Sequence, residues 1–253
     1  IRNATFEFND GTYTGVRGVS VSGGSAALID TTFTFGTDAS GSASSTSTYT
    51  DAIGIAAEDG SVTATGLKID INSKLTSGAS GNQNRGIETS GGKVSLNGDC
   101  TINIDGTYSA GILAVTDSSS QADGKKDSII YGEETAGMLT VNVTGTPNDP
   151  ETAVRVLSST AMSTEGGSIN IASGNVLIES DGLGVTTRSG GGITFSGTTF
   201  NVDTTNGTGI YVNGGNIDFN SGTVTVQSNV DGSYKWSGVP NESGGYDDNG
   251  VVF

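Results

Sequence analysis

Short segments in which apolar and polar residues alternate recur along the chain, and glycine separates them. From Gly86 to Gly106 the order is Gly-Ile, Gly-Gly, an alternating pair formed by Val94 and Leu96, a single glycine, and a second pair formed by Ile102 and Ile104. Alternation with a period of two predicts β-strands that have one buried face. Because the whole unit recurs in the same order, the pattern also predicts a repeat architecture.

Further copies of the unit place their apolar residues in three columns, and the clearest copies run from Gly184 to Asp203 and from Gly209 to Gln227. The first column contains Val62/Ala64, Val94/Leu96, Ile169/Ile171, Ile193/Phe195 and Ile217/Phe219. The second contains Phe6/Phe8, Phe33/Phe35, Ile69/Ile71, Ile102/Ile104, Val141/Val143, Val176/Ile178, Phe200/Val202 and Val224/Val226. The third contains Val19, Ile55, Ile87, Ile112, Val154, Val185, Ile210 and Val239. The residues between these are nearly all Ser, Thr, Asn, Asp or Lys, so we predict that they point outward.

Three short strands per unit, with glycine at the corners, predict an all-β fold that is a parallel β-helix. In this fold equivalent positions lie directly above one another at about 4.8 Å, which explains why like residues recur in register. Glycine suits the corners because it adopts positive φ without a Cβ clash. An antiparallel sandwich or barrel also fits alternation and glycine-rich turns, but it does not require like residues at the same place in every unit.

Segments poor in apolar residues interrupt the repeat, and we predict that they protrude from the coils as loops. They are residues 36–51, 72–85, 116–127, 145–151, 157–165 and 227–237. Because the repeat continues on both sides of most of them, we predict a single β-helix domain over residues 1–253. The chain begins and ends inside copies of the repeat, which predicts a section of a longer protein.

Charge and composition limit the partners. The chain of 253 residues has a formal net charge of -16 and contains no histidine. An acidic surface repels nucleic acid and anionic membranes, so we expect neither as a partner, and the acidity also serves solubility. No apolar segment reaches the ~20 residues of a membrane-spanning helix. The single cysteine, Cys100, excludes an internal disulfide and is predicted to point inward as a small apolar filler.

Candidate catalytic and metal-binding groups are few. Without histidine the chain has no Ser-His-Asp or Cys-His system and no imidazole ligand. The adjacent carboxylates Asp247 and Asp248 lie in a glycine-rich segment, which is typical of a solvated turn. Asp117, Asp123 and Asp127 come nearest to a calcium site, but their spacing matches no calcium-binding loop. We therefore predict no catalytic residue, no metal site and no cofactor.

The outward residues of the second column form the candidate site. Stacked on one face, they predict a flat ladder of amide, hydroxyl and carboxylate groups. Such a ladder suits sugar hydroxyls or a second copy of itself, although the solvated face of any β-helix is also polar. The predicted ligand or self-association face consists of Asp70, Asn72, Asn103, Asp105, Asn201, Asp203, Thr225 and Gln227. Between them the same alignment places Asn142, Thr144, Leu177 and Glu179.

The coils GIETSGGKVSLNGDCTINIDG, GVTTRSGGGITFSGTTFNVD and GIYVNGGNIDFNSGTVTVQ resemble the passenger domains of bacterial autotransporters, the pertactin-like adhesins. That resemblance implies a right-handed β-helix that is exported through an outer-membrane barrel and displayed on the bacterial cell surface. It implies a non-enzymatic adhesin or biofilm factor. The implied partners are a host cell-surface or matrix ligand, a glycan, or a second copy of the chain. Members contain little cysteine, so Cys100 is a departure from the pattern.

A polysaccharide lyase or glycoside hydrolase on the same scaffold is the alternative function. Carbohydrate enzymes with this fold use carboxylates, sometimes together with lysine or arginine. The motifs of the polygalacturonase family do not surround Asp247 and Asp248, which counts against this alternative. A screen of polysaccharides for reducing-end or unsaturated products distinguishes the two functions.

Overall fold

The computed structural model describes residues 1–37, 46–74, 81–115, 128–145, 159–205 and 207–229, together with the short strands 239–240, 246–247 and 251–252. In these ranges all regular structure is β-strand, and nearly all strand pairs are parallel. The same ranges contain no helix long and apolar enough to span a membrane. The fold is all-β, with parallel strands in stacked sheets that form a nearly closed, barrel-like arrangement.

Strands stack in three columns, and the first column follows the predicted register. Val62 pairs with Val94, and Val94 pairs with Ile129 on the next strand. Ile129 in turn pairs with Ile169, so the segment after residue 127 supplies a regular member of the column. The strands are the first half of β4 (Ser25–Thr37), β7 (Ser61–Thr65), β10 (Lys93–Asn97), β13 (Ser128–Tyr131), β16 (Ser168–Ile171), β19 (Gly192–Phe195) and β22 (Asn216–Phe219).

The second column forms one continuous sheet with the first, because the long strand β4 runs through both. Phe33 pairs with Ile69, and Ile69 pairs with Ile102, as the repeat predicts. The strands are β1 (Arg2–Asn9), the second half of β4, β8 (Lys68–Ile71), β11 (Cys100–Asp105), β14 (Met138–Thr144), β17 (Asn175–Ser180), β20 (Thr199–Thr205) and β23 (Thr223–Asn229).

The third column is a separate sheet, and the chain visits the columns in the order third, first, second. We call one such passage a repeat. The strands of this column are β3 (Arg17–Ser22), β6 (Ile53–Glu58), β9 (Arg85–Ser90), β12 (Ala110–Val115), β15 (Thr160–Glu165), β18 (Leu183–Arg188) and β21 (Ile210–Asn213). The sheet ends at β26 (Val251–Val252), which pairs antiparallel with β21. Outside the columns lie β2 (Thr12–Thr14), β5 (Thr48–Thr50), β24 (Val239–Pro240) and β25 (Tyr246–Asp247).

The inward side chains of the three columns form one continuous core. Ile87, Val94 and Ile102, one from each column, are fully buried, and Cys100 is buried as predicted. Exceptions are found on the outermost strands, where Phe6 and Phe219 remain 37% and 38% exposed. In a repeat fold the neighbouring repeat covers each inward face. These two strands have a described neighbour on one side only, so their inward side chains are covered on one side only.

A column of glycines explains the Gly-Ile step of the repeat. Its members are the second residues of five strands of the third column, and they lie beside the second column: Gly18, Gly54, Gly86, Gly111 and Gly184. A Cβ on Gly86 would lie 2.4 Å from Cγ2 of Ile102 and 2.5 Å from the carbonyl oxygen of Gly111. A side chain at Gly86 would therefore force these atoms to move, although β15 has the fully buried Ala161 at the equivalent position.

We expect Gly86→Ala to destabilise the protein by about 1–3 kcal/mol, because the methyl group overpacks a closed core. Gly192→Ala is the matched control, since its Cβ would meet only the exposed side chain of Asn216, at 3.1 Å. Neither glycine has a left-handed backbone, so strain does not distinguish them. Urea denaturation of both variants measures the difference, and equal effects would show that the glycine column is not required.

Two segments predicted as loops contain strands. The segment 157–165 contains β15, whose Met162 pairs with Ile112 in the third column. Met162 takes the place predicted for Val154, which lies outside the described residues. The segment 36–51 contains β5, which pairs in parallel with β2 and buries Tyr49 against Phe35. In both cases one large apolar residue among small polar ones gave too weak a pattern to predict a strand.

The prediction for Val239 is also wrong. It pairs antiparallel with Asp247 and not with a strand of the third column. The predicted loop 116–127 and most of 145–151 lie outside the described residues, as does Asp248.

The register of the second column differs from the prediction after β11. Strand β14 has three inward apolar residues, Leu139, Val141 and Val143, where the repeat predicts a pair. Leu139 pairs with Val176 and Val141 with Ile178, so the later strands are displaced by two residues from the predicted alignment. A shift of two leaves every side chain on its own face, and therefore the buried set is unchanged.

Two buried threonines lie near the ends of β15 and β18, which are neighbouring strands of the third column. Thr164 pairs with Thr187, both are fully buried, and neither hydroxyl has a hydrogen-bond partner. A buried hydroxyl without a partner loses its bonds to water and gains none in exchange. These two side chains therefore oppose folding in an otherwise apolar region.

We expect Thr187→Val to raise the free energy of unfolding by about 1 kcal/mol, because valine has the same shape and no unpaired hydroxyl. The neighbouring residue provides the control. The Thr186 hydroxyl lies 2.9 Å from Oγ of Ser163, so Thr186→Val breaks a hydrogen bond and should destabilise the protein. Thermal or urea unfolding measures both changes, and a loss of stability in Thr187→Val would contradict the assignment.

Candidate ligand-binding face

Two continuous rows of outward side chains follow the second column from its first strand to its last. The middle row consists of Glu7, Thr34, Asp70, Asn103, Asn142, Glu179, Asp203 and Gln227. The flanking row consists of Thr5, Thr32, Lys68, Thr101, Thr140, Leu177, Asn201 and Thr225. Successive members lie on neighbouring strands, about 4.8 Å apart.

The structure distributes the predicted face differently over these rows. Asp70 and Asn103 share the middle row with Asp203 and Gln227, whereas Asn201 and Thr225 belong to the flanking row. The prediction placed Asn201 in line with Asn103, and the displacement after β11 moves it by one outward position.

Two predicted residues lie beside the rows. Asn72 follows the end of β8, and its Nδ2 donates a hydrogen bond to the carbonyl oxygen of Phe35 at 3.0 Å. Asp105 is exposed, and its Oδ1 accepts a hydrogen bond from Oγ1 of Thr144 on the next strand. Both side chains thus have a structural role at the edge of the face.

Side-chain hydrogen bonds join Asp70, Asn103 and Asn142 in the first half of the middle row. Nδ2 of Asn103 donates to Oδ1 of Asp70 at 2.7 Å, and Nδ2 of Asn142 donates to Oδ1 of Asn103 at 2.9 Å. The other oxygen of Asp70 lies 2.8 Å from Nζ of Lys68. An amide has both a donor and an acceptor, so stacked amides continue a chain of hydrogen bonds from strand to strand. This half of the row stabilises the sheet.

In the second half of the middle row two carboxylates separate the amides of Asn142 and Gln227. Oδ1 of Asn142 is buried and has no hydrogen-bond partner, and the next residue in the row is Glu179. Glu179 is followed by Asp203, whose Oδ1 is also buried without a partner. An ionised carboxylate can only accept hydrogen bonds. We call Asn142, Glu179 and Asp203 the acceptor segment.

Repulsion between two carboxylates makes the acceptor segment electrostatically unfavourable when no ligand is bound. Glu179 and Asp203 are directly paired on neighbouring strands, where like charges repel. Within the described part of the chain, neither carboxylate forms an ion pair with lysine or arginine. Departures from local compatibility of this kind are expected at functional sites.

Two of the three residues of the acceptor segment, Asn142 and Glu179, were aligned on the predicted ladder but not included in the predicted face. Their importance depends on the register, because only the observed alignment places Asn142 beside Glu179 and Glu179 beside Asp203. The available signal was Leu139, an apolar residue two positions before Val141 that extends the inward set of β14.

The other candidate metal-binding and reactive groups do not form a site in the described ranges. They contain no group of three or more Asp, Glu, Cys or His residues that could hold a metal ion. Asp117, Asp123 and Asp127 lie outside them. Burial raises the pKa of the Cys100 thiol, which disfavours the reactive thiolate.

A charged cluster joins three successive repeats on the outer side of the third column. Asp51 contacts Arg17 at 3.1 Å and Arg85 at 2.7 Å. Nε of Arg85 also lies 2.8 Å from Oε2 of Glu88. Burial raises the pKa of Glu88, and this effect exceeds the opposing attraction of Arg85 and Arg17; the charges of Asp51 and Glu58 raise it further. Folding therefore favours the protonated form of this carboxyl group.

We expect Glu88→Gln to change how stability depends on pH. A carboxyl group whose pKa is raised by folding stabilises the native state most below its unfolded pKa of about 4.3, and this contribution is lost as pH rises through the folded pKa. The variant keeps an oxygen for Arg85 but does not titrate. Its stability relative to the parent should therefore increase between about pH 4 and pH 7.

Urea denaturation across this pH range measures the effect. Glu58→Gln removes the same charge from an exposed side chain at the end of β6, so it is the matched control and should show a smaller change. The same pH-dependent gain in both variants would contradict the role of burial at Glu88.

Comparison of the chain with protein-family models, with curated proteins and with solved structures gives no significant match. The resemblance to autotransporter passenger domains rests on the repeated coil sequences alone. Function is therefore argued from the fold and from the acceptor segment.

Proposed function

We propose that the chain is a right-handed parallel β-helix, a single domain with three strands per coil, that acts as a non-enzymatic adhesin on the bacterial cell surface. The fold proposal is supported by the in-register parallel columns and by the order in which the chain visits them. The localisation and the handedness follow from the resemblance of the coils to autotransporter passengers. The binding role rests on the middle row.

The acceptor segment is the observation that supports binding. Oδ1 of Asn142 and Oδ1 of Asp203 are buried and have no donor among the described residues, and the exposed carboxylate of Glu179 lies between these two side chains. A ligand that brings donors therefore meets the segment first at Glu179, where it finds acceptors that the row itself does not pair. Hydroxyl groups of a glycan, cationic groups of a host surface or matrix protein, and donors on a second copy all have this chemistry. Hydrogen bonds to charged groups contribute about 1.5–3 kcal/mol each, and many copies on two cells add by multivalency.

The test compares two variants that change the net charge equally. Glu179→Gln with Asp203→Asn removes two negative charges from the acceptor segment and preserves the shape of the side chains. Asn170→Lys with Thr194→Lys adds two positive charges to the same two repeats, on the outward side of the first column. Each chain is displayed on bacterial cells and scored for autoaggregation and for attachment to host cells, matrix proteins and glycans.

We expect the acceptor-segment variant to lose adhesion by about tenfold or more, since one charged hydrogen bond lost per contact already has that effect. The control should adhere like the parent. Equal adhesion of all three folded chains would place binding elsewhere on the molecule. Release of reducing-end or unsaturated products from polysaccharides by the purified parent would contradict the non-enzymatic proposal and favour the lyase or hydrolase alternative.

A further inference from the structure

Two Asn-Gly pairs stand at corners of the described repeats in opposite surroundings. Asn97 ends β10 and is followed by Gly98, and Asn213 ends β21 and is followed by Gly214. In an Asn-Gly pair the backbone nitrogen can approach the preceding side-chain amide with little obstruction, because glycine has no side chain. The reactivity of each pair then depends on how tightly the fold holds it.

The first pair is held at both reacting groups. Asn97 is only 1% exposed. Its Oδ1 accepts hydrogen bonds from the backbone nitrogens of Glu134 and Thr135, at 3.0 and 3.3 Å. The nitrogen of Gly98 donates to the carbonyl oxygen of Thr135 at 3.0 Å. Neither the side chain nor the nitrogen can move toward the other without breaking these bonds.

The second pair stands at a corner that three of the other repeats, although not those of Gly91 and Ser189, secure with a hydrogen bond. There the amide of the left-handed corner residue donates to a carbonyl oxygen of the following repeat, as in Gly23 to Glu58 at 3.0 Å, Asp59 to Ser90 at 3.3 Å and Gly166 to Arg188 at 3.0 Å. Gly214 has the same left-handed backbone, with φ of 76°. In the described ranges its amide has no such acceptor, and the side chain of Asn213 is partly exposed and makes no hydrogen bond.

We propose that Asn213 is a site of spontaneous deamidation, whereas Asn97 is protected. The backbone nitrogen of Gly214 attacks Cγ of Asn213 and forms a C–N bond. The bond from Cγ to Nδ2 breaks, and the side-chain nitrogen leaves as ammonia with the proton lost by Gly214. Water then opens the resulting five-membered succinimide at either carbonyl group, which gives aspartate or isoaspartate.

Both products alter the corner before β22. Aspartate adds one negative charge to an acidic chain. Isoaspartate also lengthens the main chain by one carbon atom, which displaces the strand that follows. Ile217 and Phe219 of β22 would then no longer stack in register on Ile193 and Phe195. The modification is expected to loosen the last repeat of the first column and to leave the inner repeats intact, because repeats contact only their neighbours.

The experiment incubates the intact folded chain at mildly alkaline pH and follows both asparagines by peptide mass spectrometry. We expect Asn213 to convert about tenfold faster than Asn97 or more, since a held site reacts only after local opening. In concentrated urea the two rates should converge, because both pairs then have the same chemistry. Equal rates in the folded chain, faster conversion of Asn97, or no conversion of Asn213 would each overturn the proposal.

One variant shows which asparagine causes the mass increase. Asn206 also precedes a glycine and lies between Arg188 and Lys235, on the same tryptic peptide as Asn213. Asn213→Gln removes the proposed site, because glutamine would have to close a six-membered ring, and it keeps the amide. The mass increase of that peptide should largely disappear in the variant. Its persistence at the parent rate would assign the reaction to another asparagine of the peptide, such as Asn206, and contradict the proposal.

Discussion

The parallel register between neighbouring repeats is the constraint on which the rest of the structure depends. Ile69 lies beside Ile102, and Ile102 beside Val141, so each inward side chain packs on a counterpart of similar shape. A displacement by one residue would exchange the buried and solvent faces of a strand. The glycine column, exemplified by Gly86 and Gly111, allows the third column to lie close against this stack.

The sequence predicted the face of most side chains in the columns, but it did not predict which residues are neighbours. Alternation fixes the face of each side chain, and Ile102, Val141 and Cys100 are inside as their positions predict. A displacement by two residues leaves alternation intact, so the pairing of Leu139 with Val176 could not be seen in the pattern. Strand β15 escaped prediction because small polar residues surround its single large apolar side chain.

The candidate site depends on this same pairing. The residue types of the middle row were predicted, but the boundary between its two halves is set by the position of Asn142 between Asn103 and Glu179. On one side amides continue the hydrogen-bond chain, and on the other side carboxylates stop it. The same kind of polar row therefore stabilises the sheet along one half and leaves unsatisfied acceptors along the other.

The amides of the middle row also give the surface a direction. Asn142 donates to Asn103 and Asn103 donates to Asp70, so every side-chain dipole in this series has the same sense. The series ends at one side in a carboxylate neutralised by the Lys68 ammonium and opens at the other into uncompensated negative charge. A linear polymer laid along the row therefore encounters chemically different ends, and its two possible orientations are not equivalent in energy. If such a polymer binds here, the face distinguishes the polarity of the polymer as well as its composition.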